Sequence, residues 1–351
     1  MNKKTKNGLE FYSYENMEKA QELQLKLLSI VDEICNVNNL QYWLDAGSML
    51  GAIRHKGFIP WDDDLDICLL KPDYDKLLHL LNERCKDDES IFLKFFKNNK
   101  SSSYIENFCS TEMVLEEVNG TLSPCHIDIF PMKLLKNNIE DKKLDNKTTD
   151  RALYFMSGKY RYDNSQKPDI INSKNDAITL KKKFFAFYNN NYMNRNYELK
   201  NFSGSILGYS YGSILKKSEF DYFNYDDVFP LKKTTINGFD TYVANNHNAY
   251  LNKLYGDFMK FPNVNQRVPF NIGAHYISDD KRTQIKNNYL RKTAVFNINY
   301  YFNLTPLSKF HMLFYYIREL GIISTIKGLK ITRRIKQFSN KPVFNRIFIE
   351  K

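Results

Sequence analysis

GSMLGAIRHKGFIPWDDDLDI, residues 47–67, decides how the rest of the chain is read. A glycine-serine pair leads into a short helical stretch, Met49–Arg54, which breaks over Gly57–Pro60 and closes on the aspartates 62, 63, 64 and 66. Leu65, Ile67, Leu69 and Leu70 then have the apolar density of a buried strand. Alternate side chains on a strand share a face, so Asp62, Asp64 and Asp66 are expected on one side and Leu65 and Ile67 on the other. Carboxylates this close repel one another, and a divalent cation between them is the simplest relief.

A partner for this strand lies some sixty residues on. In HIDIF, residues 126–130, Asp128 is a single acid between Ile127 and Ile129. If the two strands are neighbours, Asp128 supplies a third ligand beside Asp64 and Asp66. An all-oxygen ligand set suits Mg²⁺ or Mn²⁺. An EF-hand is excluded, because Ile67 stands where that loop requires glycine and Asp73 where it requires glutamate.

The residues before the acids have two readings each. Gly47 and Ser48, at a helix start, present either a simple serine cap or backbone N–H groups and a hydroxyl to a phosphate. Arg54 has the forked geometry to grip a phosphate, with His55 and Lys56 beside it; His55 reads equally as a solvent-exposed loop residue. Trp61 packs beneath the acidic loop or stacks on a base. Arg267, with Lys260 and His275, is a candidate to close over a phosphate from the C-terminal side.

Outward from this stretch, the spacing predicts a helix over Glu15–Asn39, a strand over Leu40–Leu44, and a helix opened by Pro72 through Arg84. Ile91–Phe96 and Met113–Val118 read as strands, Asn237-Gly238 as a hairpin turn, and Ala249–Tyr255 as a short helix. Residues 136–205 are polar and rich in Lys and Asn, with a helix expected around Ala177–Tyr197. The expected organisation is a catalytic core over 1–135, a mainly helical insertion over 136–205, a return to the catalytic domain over 206–278, and a basic amphipathic helical tail over 279–351.

Composition narrows the function classes. With 14 Gly and 10 Pro in 351 residues and 42% hydrophobic residues, the chain is neither fibrous nor disordered. Its net charge of +11 resides in the tail, where 15 Lys and Arg face 4 Asp and Glu, and the body is balanced. A nucleic-acid-binding role lacks a recognition motif and is disfavoured by the neutral body. The basic, aromatic tail reads either as a peripheral contact with anionic lipid or as helices packed on the catalytic domain with a solvated basic face. Five cysteines, an odd number without a C-x-x-C pair, argue for a reducing cytoplasm. No stretch has the roughly 18 consecutive apolar residues of a membrane span.

Strand, Gly-Ser, helix, D-x-D strand and a later strand with one acid together form the pattern of the nucleotidyltransferase fold. Residues 42–74, containing YWLDAGSMLGAIRHKGFIPWDDDLDI and KPDY, resemble the signature of the LicD family of phosphotransferases, which includes fukutin-related protein. HIDIFP, residues 126–131, resembles that family's second motif, and YLNKLYGDFMKFP, residues 250–262, its third. The resemblance implies an α+β, nucleotidyltransferase-like mixed sheet flanked by helices. It also implies transfer of phosphocholine or a similar alcohol phosphate from a CDP-linked donor to a glycan hydroxyl, with Asp64, Asp66 and Asp128 as metal ligands. Asp62 falls behind them as a supporting residue, and Asp63 matches a variable position. Two departures stand out: serine replaces the threonine of many relatives at position 48, and Met132 and Lys133 follow Pro131 where an aspartate is usual. Transfer of a whole nucleotide with release of pyrophosphate is the alternative chemistry.

Overall fold

The computed structural model describes residues 2–6, 9–13, 16–94, 106–117, 122–146, 148, 186, 192–209, 222–278, 294–297, 322 and 346–349. Of the expected helix around 177–197, residues 186 and 192–197 are described, with 193–197 forming turns, and the helical tail lies almost wholly outside the described residues. Within 279–351 the described segments are two short strands, Ala294–Asn297 and Arg346–Ile349, paired antiparallel. A second such pair, Asn2–Lys6 with Leu9–Ser13, opens the chain.

Helix α1, Met17–Asn38, forms where apolar residues recur at helical spacing, and it buries Leu27, Leu28, Val31 and Cys35. Asn39, at φ 53°, ends it in the left-handed conformation that asparagine tolerates. Strand β1, Tyr42–Leu44, follows, and then α2, Ala46–Leu50, which continues into a wider helical turn over Gly51–His55. This helix starts three residues before the expected Met49, because Asp45 rather than Ser48 is its N-cap. Gly51 permits the chain to fold back: a Cβ there would lie 2.6 Å from the carbonyl oxygen of Gly57.

The central sheet is mixed. Strand β2, Asp66–Leu70, pairs antiparallel with β1 and parallel with the long β4, Leu122–Leu135. On the other side of β4 lies β3, Glu106–Glu117, itself paired with Ile91–Lys94 and with Asn271–Tyr276. The end of β4 also pairs with β5, Ile206–Tyr209, so residues on both sides of the polar segment 136–205 contribute to one sheet. The parallel β2–β4 pair needs a crossover, and α3, Lys71–Arg84, lies within it, with Tyr74, Leu77, Leu78 and Leu81 buried. The Asn237-Gly238 turn joins Lys232–Ile236 to Phe239–Val243, and both turn residues have positive φ as a tight hairpin requires. Helix α4, His247–Tyr255, packs against α2.

Candidate active site

Strand pairing sets the site. Asp66 and Asp128 are direct partners across the parallel β2–β4 pair, and Asn107 of β3 lies opposite Asp128 on its other side. Directly opposed residues point to the same face, so the three form a row across the sheet. The Asn107 amide donates to Asp128 Oδ1, and His126 Nε2 lies 3.5 Å from the same oxygen.

The acidic loop differs from the expected strand. Strand β2 begins at Asp66, and Asp62–Leu65 approach it as irregular chain. Helix α1 explains this: the Gln21 amide donates to the Asp62 carbonyl (2.9 Å) and the Gln24 amide to the Asp63 carbonyl (3.0 Å). Those backbone acceptors are therefore satisfied by side chains instead of a neighbouring strand. Only the Leu65 carbonyl continues the ladder, accepting from the Asp128 N–H at 2.9 Å.

Each acid has a distinct placement. Asp63 is buried, and its carboxylate accepts from the N–H groups of Phe270 and Asn271, so it ties the acidic loop to the last strand of the sheet. Asp64 is exposed and hydrogen-bonded to Asp62. Asp62 also lies against α2, since a Cβ on Gly47 would come within 2.6 Å of its Oδ2. Removal from water raises the carboxyls of Asp62, Asp66 and Asp128 above the ordinary range. Asp64 further raises Asp62 and Asp66, and Asp128 further raises Asp66. These four side chains thus share one electrostatic environment, crowded with negative charge. Among the described residues they do not close into a three-ligand cage: Asp64 is engaged by Asp62, and Asp128 by Asn107.

This crowding has a thermodynamic sign. Asp63 is raised by burial, then by Asp64, to about 6. A carboxyl held above its unfolded value adds stability that is full below that value and is lost as pH rises through the folded one. In EDTA, the melting temperature is therefore expected to be higher near pH 5 than near pH 7. A fall on acidification, measured by differential scanning fluorimetry, would contradict this electrostatic picture.

Ser48 is buried, and its hydroxyl accepts the N–H of Asp66 at 2.8 Å. Together with the Asp45 N–H, which donates to the Asp66 carbonyl at 2.9 Å, it fastens the residue to the start of α2. Ser48→Ala leaves a buried N–H unpaired, at a cost of about 1–3 kcal/mol, whereas Ser48→Thr retains the hydroxyl. Thermal unfolding of both variants checks this, and equal stability would refute it.

The basic and aromatic candidates form a second group. The Arg54 guanidinium donates to the Phe258 carbonyl (2.6 Å) and lies 4.7 Å from the Phe261 ring centroid. Burial lowers its pKa, partly countered by Tyr255 and Asp62. Arg267 lies over Trp61 (5.6 Å) and Phe261 (5.4 Å). His55 accepts from Arg54 Nε at 3.0 Å and meets Trp61 and Phe261 edge-on, so it is packed and not a free loop histidine. Trp61 is only 9% exposed within this cluster, which is the packing role. Lys56 is exposed at φ 58°, and its carbonyl accepts from Asn237. The structure thus brings Arg54, His55, Trp61 and Arg267 together and places Gly47 and Ser48 against Asp62 and Asp66. His275 instead pairs with Glu116 at 2.7 Å, and Lys260 is exposed.

Sequence reasoning gave no role to Asp45, Asn107 or His126, and placed Tyr255 in the third motif as either a structural corner or a substrate wall. Asp45 is buried, accepts from the hydroxyls of Tyr250 (2.6 Å) and Tyr209 (2.7 and 2.8 Å to its two oxygens), and is raised by burial. Tyr255 is 42% exposed at the end of α4. Burial of its hydroxyl raises its pKa, and the charges of Asp45, Asp66, Asp62 and Asp64 add to this, which puts the phenol on the rim of the acidic site. His126 had a visible signal, two residues from Asp128 on an alternating strand. Asp45 and Asn107 became apparent only through pairing.

Comparison with known proteins places the acidic segment within a known family profile. The family profile described as LicD/FKTN/FKRP, nucleotidyltransferase domain, matches residues 39–164. Lipopolysaccharide cholinephosphotransferase LicD of Haemophilus influenzae is 27% identical over 278 residues, covering 73% of this chain and 97% of that protein. An uncharacterized Rickettsia prowazekii protein is 43% identical over 56 residues, 16% of this chain and 21% of its own length. Ribitol 5-phosphate transferase FKRP of Homo sapiens is 57% identical over 28 residues, 8% of this chain and 6% of that protein.

Proposed function

Because the chain belongs to the LicD family and is a transferase of phosphate-containing groups, we propose that it moves phosphocholine or a similar alcohol phosphate from a CDP-linked donor to a glycan hydroxyl, releasing CMP. The observation that carries this reading is the row Asp66–Asp128 on paired parallel strands, with Asp64 beside it. The resemblance over nearly the full length of a lipopolysaccharide cholinephosphotransferase supports phosphocholine, and the FKRP match keeps ribitol phosphate in the test.

The chemistry of the donor set suits a hard divalent cation, because every candidate ligand atom is a carboxylate oxygen and their mutual repulsion calls for a countercharge, although the side chains are not gathered about one point among the described residues. Asp64, Asp66 and Asp128 would hold Mg²⁺ or Mn²⁺, with Asp62 supporting Asp64. Such a cation supplies neutralisation of the donor diphosphate. The protein's own groups do the rest. Arg54 and Arg267 face the donor phosphates beside the acids. Asp128, with His126 at 3.5 Å, accepts the proton of the attacking hydroxyl as the new P–O bond forms and the CMP oxygen departs. Among the described residues no helix is long and apolar enough to cross a membrane. The reading places the enzyme on the cytoplasmic side, with the basic tail as its candidate contact to the bilayer and to a lipid-linked acceptor.

The test pairs a thermal-shift screen of CDP-choline, CDP-ribitol, CDP-glycerol and CDP-ethanolamine with product analysis. One donor is expected to stabilise the protein with Mg²⁺ and to yield CMP in an EDTA-sensitive reaction with a glycan acceptor. Pyrophosphate as product would instead establish nucleotide transfer. Activity that survives EDTA would remove the metal role.

A further inference from the structure

Behind the acidic row lies a buried network that the proposed chemistry does not use. Asp45 is 2% exposed and receives three hydroxyl contacts of 2.6–2.8 Å from two tyrosines, Tyr209 on β5 and Tyr250 on α4. The two hydroxyls lie 3.2 Å apart, and the Cys68 thiol of β2 also bonds to the carboxyl. Tyr250 is held flat on Phe223, centroids 3.8 Å apart, and Tyr209 meets Phe223 edge-on. Residues 164 and 205 positions away from Asp45 therefore converge on one carboxyl. Its main chain in turn donates to the Asp66 carbonyl and accepts from the Met49 N–H at the start of α2. The same turn supplies the Ser48 hydroxyl to the Asp66 N–H. Both peptide groups of Asp66 are thus bonded to a four-residue segment whose one buried acid is gripped by phenols from the C-terminal half of the chain.

We propose that Asp45, Tyr209 and Tyr250 are positioning residues: by clamping the 45–48 turn they set the main chain, and hence the carboxylate, of Asp66. This rests on the reading of Asp66 as a cation ligand, and it assigns the C-terminal elements β5 and α4 a direct part in aligning the D-x-D segment. A carboxylate that accepts several hydroxyl bonds in a low-dielectric interior is a rigid anchor, and the bonds it makes are worth more than neutral ones.

Tyr209→Phe and Tyr250→Phe each remove one hydroxyl while keeping the ring, so the stacking on Phe223 remains. Amide hydrogen exchange followed by NMR gives the decisive readout, with Leu78 in α3 as the control for general loosening. In each variant, exchange at Asp66 is expected to rise roughly tenfold relative to Leu78, the size of effect that follows from losing one bond to a charged group. Mn²⁺ affinity measured by EPR is expected to fall by a similar factor, and Asp45→Asn is expected to do the same. Asp66 exchange that keeps step with Leu78 would overturn the positioning role. Wild-type protein that binds no Mn²⁺ would refute the cation reading instead, and the exchange ratio would still decide the clamp.

Discussion

Asp66→Asn is expected to abolish transfer while raising the melting temperature of the metal-free protein. The two effects have one origin. Asp66 faces Asp128 directly across the strand pair, and its carboxyl is raised well above the ordinary range by removal from water, then by Asp64 and Asp128. Neutralising it relieves repulsion in the fold and at the same time removes a ligand for a countercharge. Loss of a group that stabilises charge in the transition state costs on the order of 10²–10³-fold in kcat, and loss of a metal ligand should reach at least that. Asp64→Asn and Asp128→Asn should follow the same pattern. A nucleotide-release assay with a melting curve on each variant tests both halves. Full activity in Asp66→Asn would end the transferase account, and lost activity with a collapsed melting curve would make Asp66 a structural residue.

Lys133→Ala is expected to be among the most destabilising single changes in the molecule. Lys133 is 1% exposed on β4 and forms a 2.6 Å ion pair with Asp145, itself 4% exposed. Asp145 also accepts from the hydroxyls of Tyr192 (2.6 Å) and Tyr222 (2.7 Å). Gly208, opposite Lys133 on β5, leaves room for the side chain, since a Cβ there would meet Lys133 Cε at 3.1 Å. Removing one member of a buried pair strands the other charge, at a cost of roughly 3–5 kcal/mol. Lys133→Gln combined with Asp145→Asn retains neutral hydrogen bonding and should recover most of that loss. Urea unfolding of the single and double variants tests this; a loss under about 1 kcal/mol would mean that the pair is effectively solvated.

What the sequence revealed and what it concealed follow from the range of the interactions. Asp64, Asp66 and Asp128 were legible because acids within alternating apolar runs conflict with burial, and that conflict is local. That the two strands are neighbours was only a condition in the sequence reading, and the parallel β2–β4 pairing meets it. Helix α1 and the Asn237-Gly238 hairpin were legible from periodicity and turn chemistry. The irregular path of Asp62–Leu65 was not, because it depends on amides of Gln21 and Gln24 some forty residues away. Trp61 and His55 read as possible ligand contacts until their rings were found against Phe261. Asp45 had no reading at all, since its tyrosine partners are remote in the chain and become neighbours only when β5 and α4 close on the sheet.

The β4–β5 junction has a wider consequence. Leu135, the last residue of β4, is paired directly with Ile206, the first of β5, so the seventy residues between them are bracketed by one strand pair. Closing a long excursion costs little more than closing a short one, because the entropy grows only with the logarithm of length. Asp145, Asn196 and Tyr197 nevertheless bond back to β4, so change in this excursion is tolerated at positions away from those anchors.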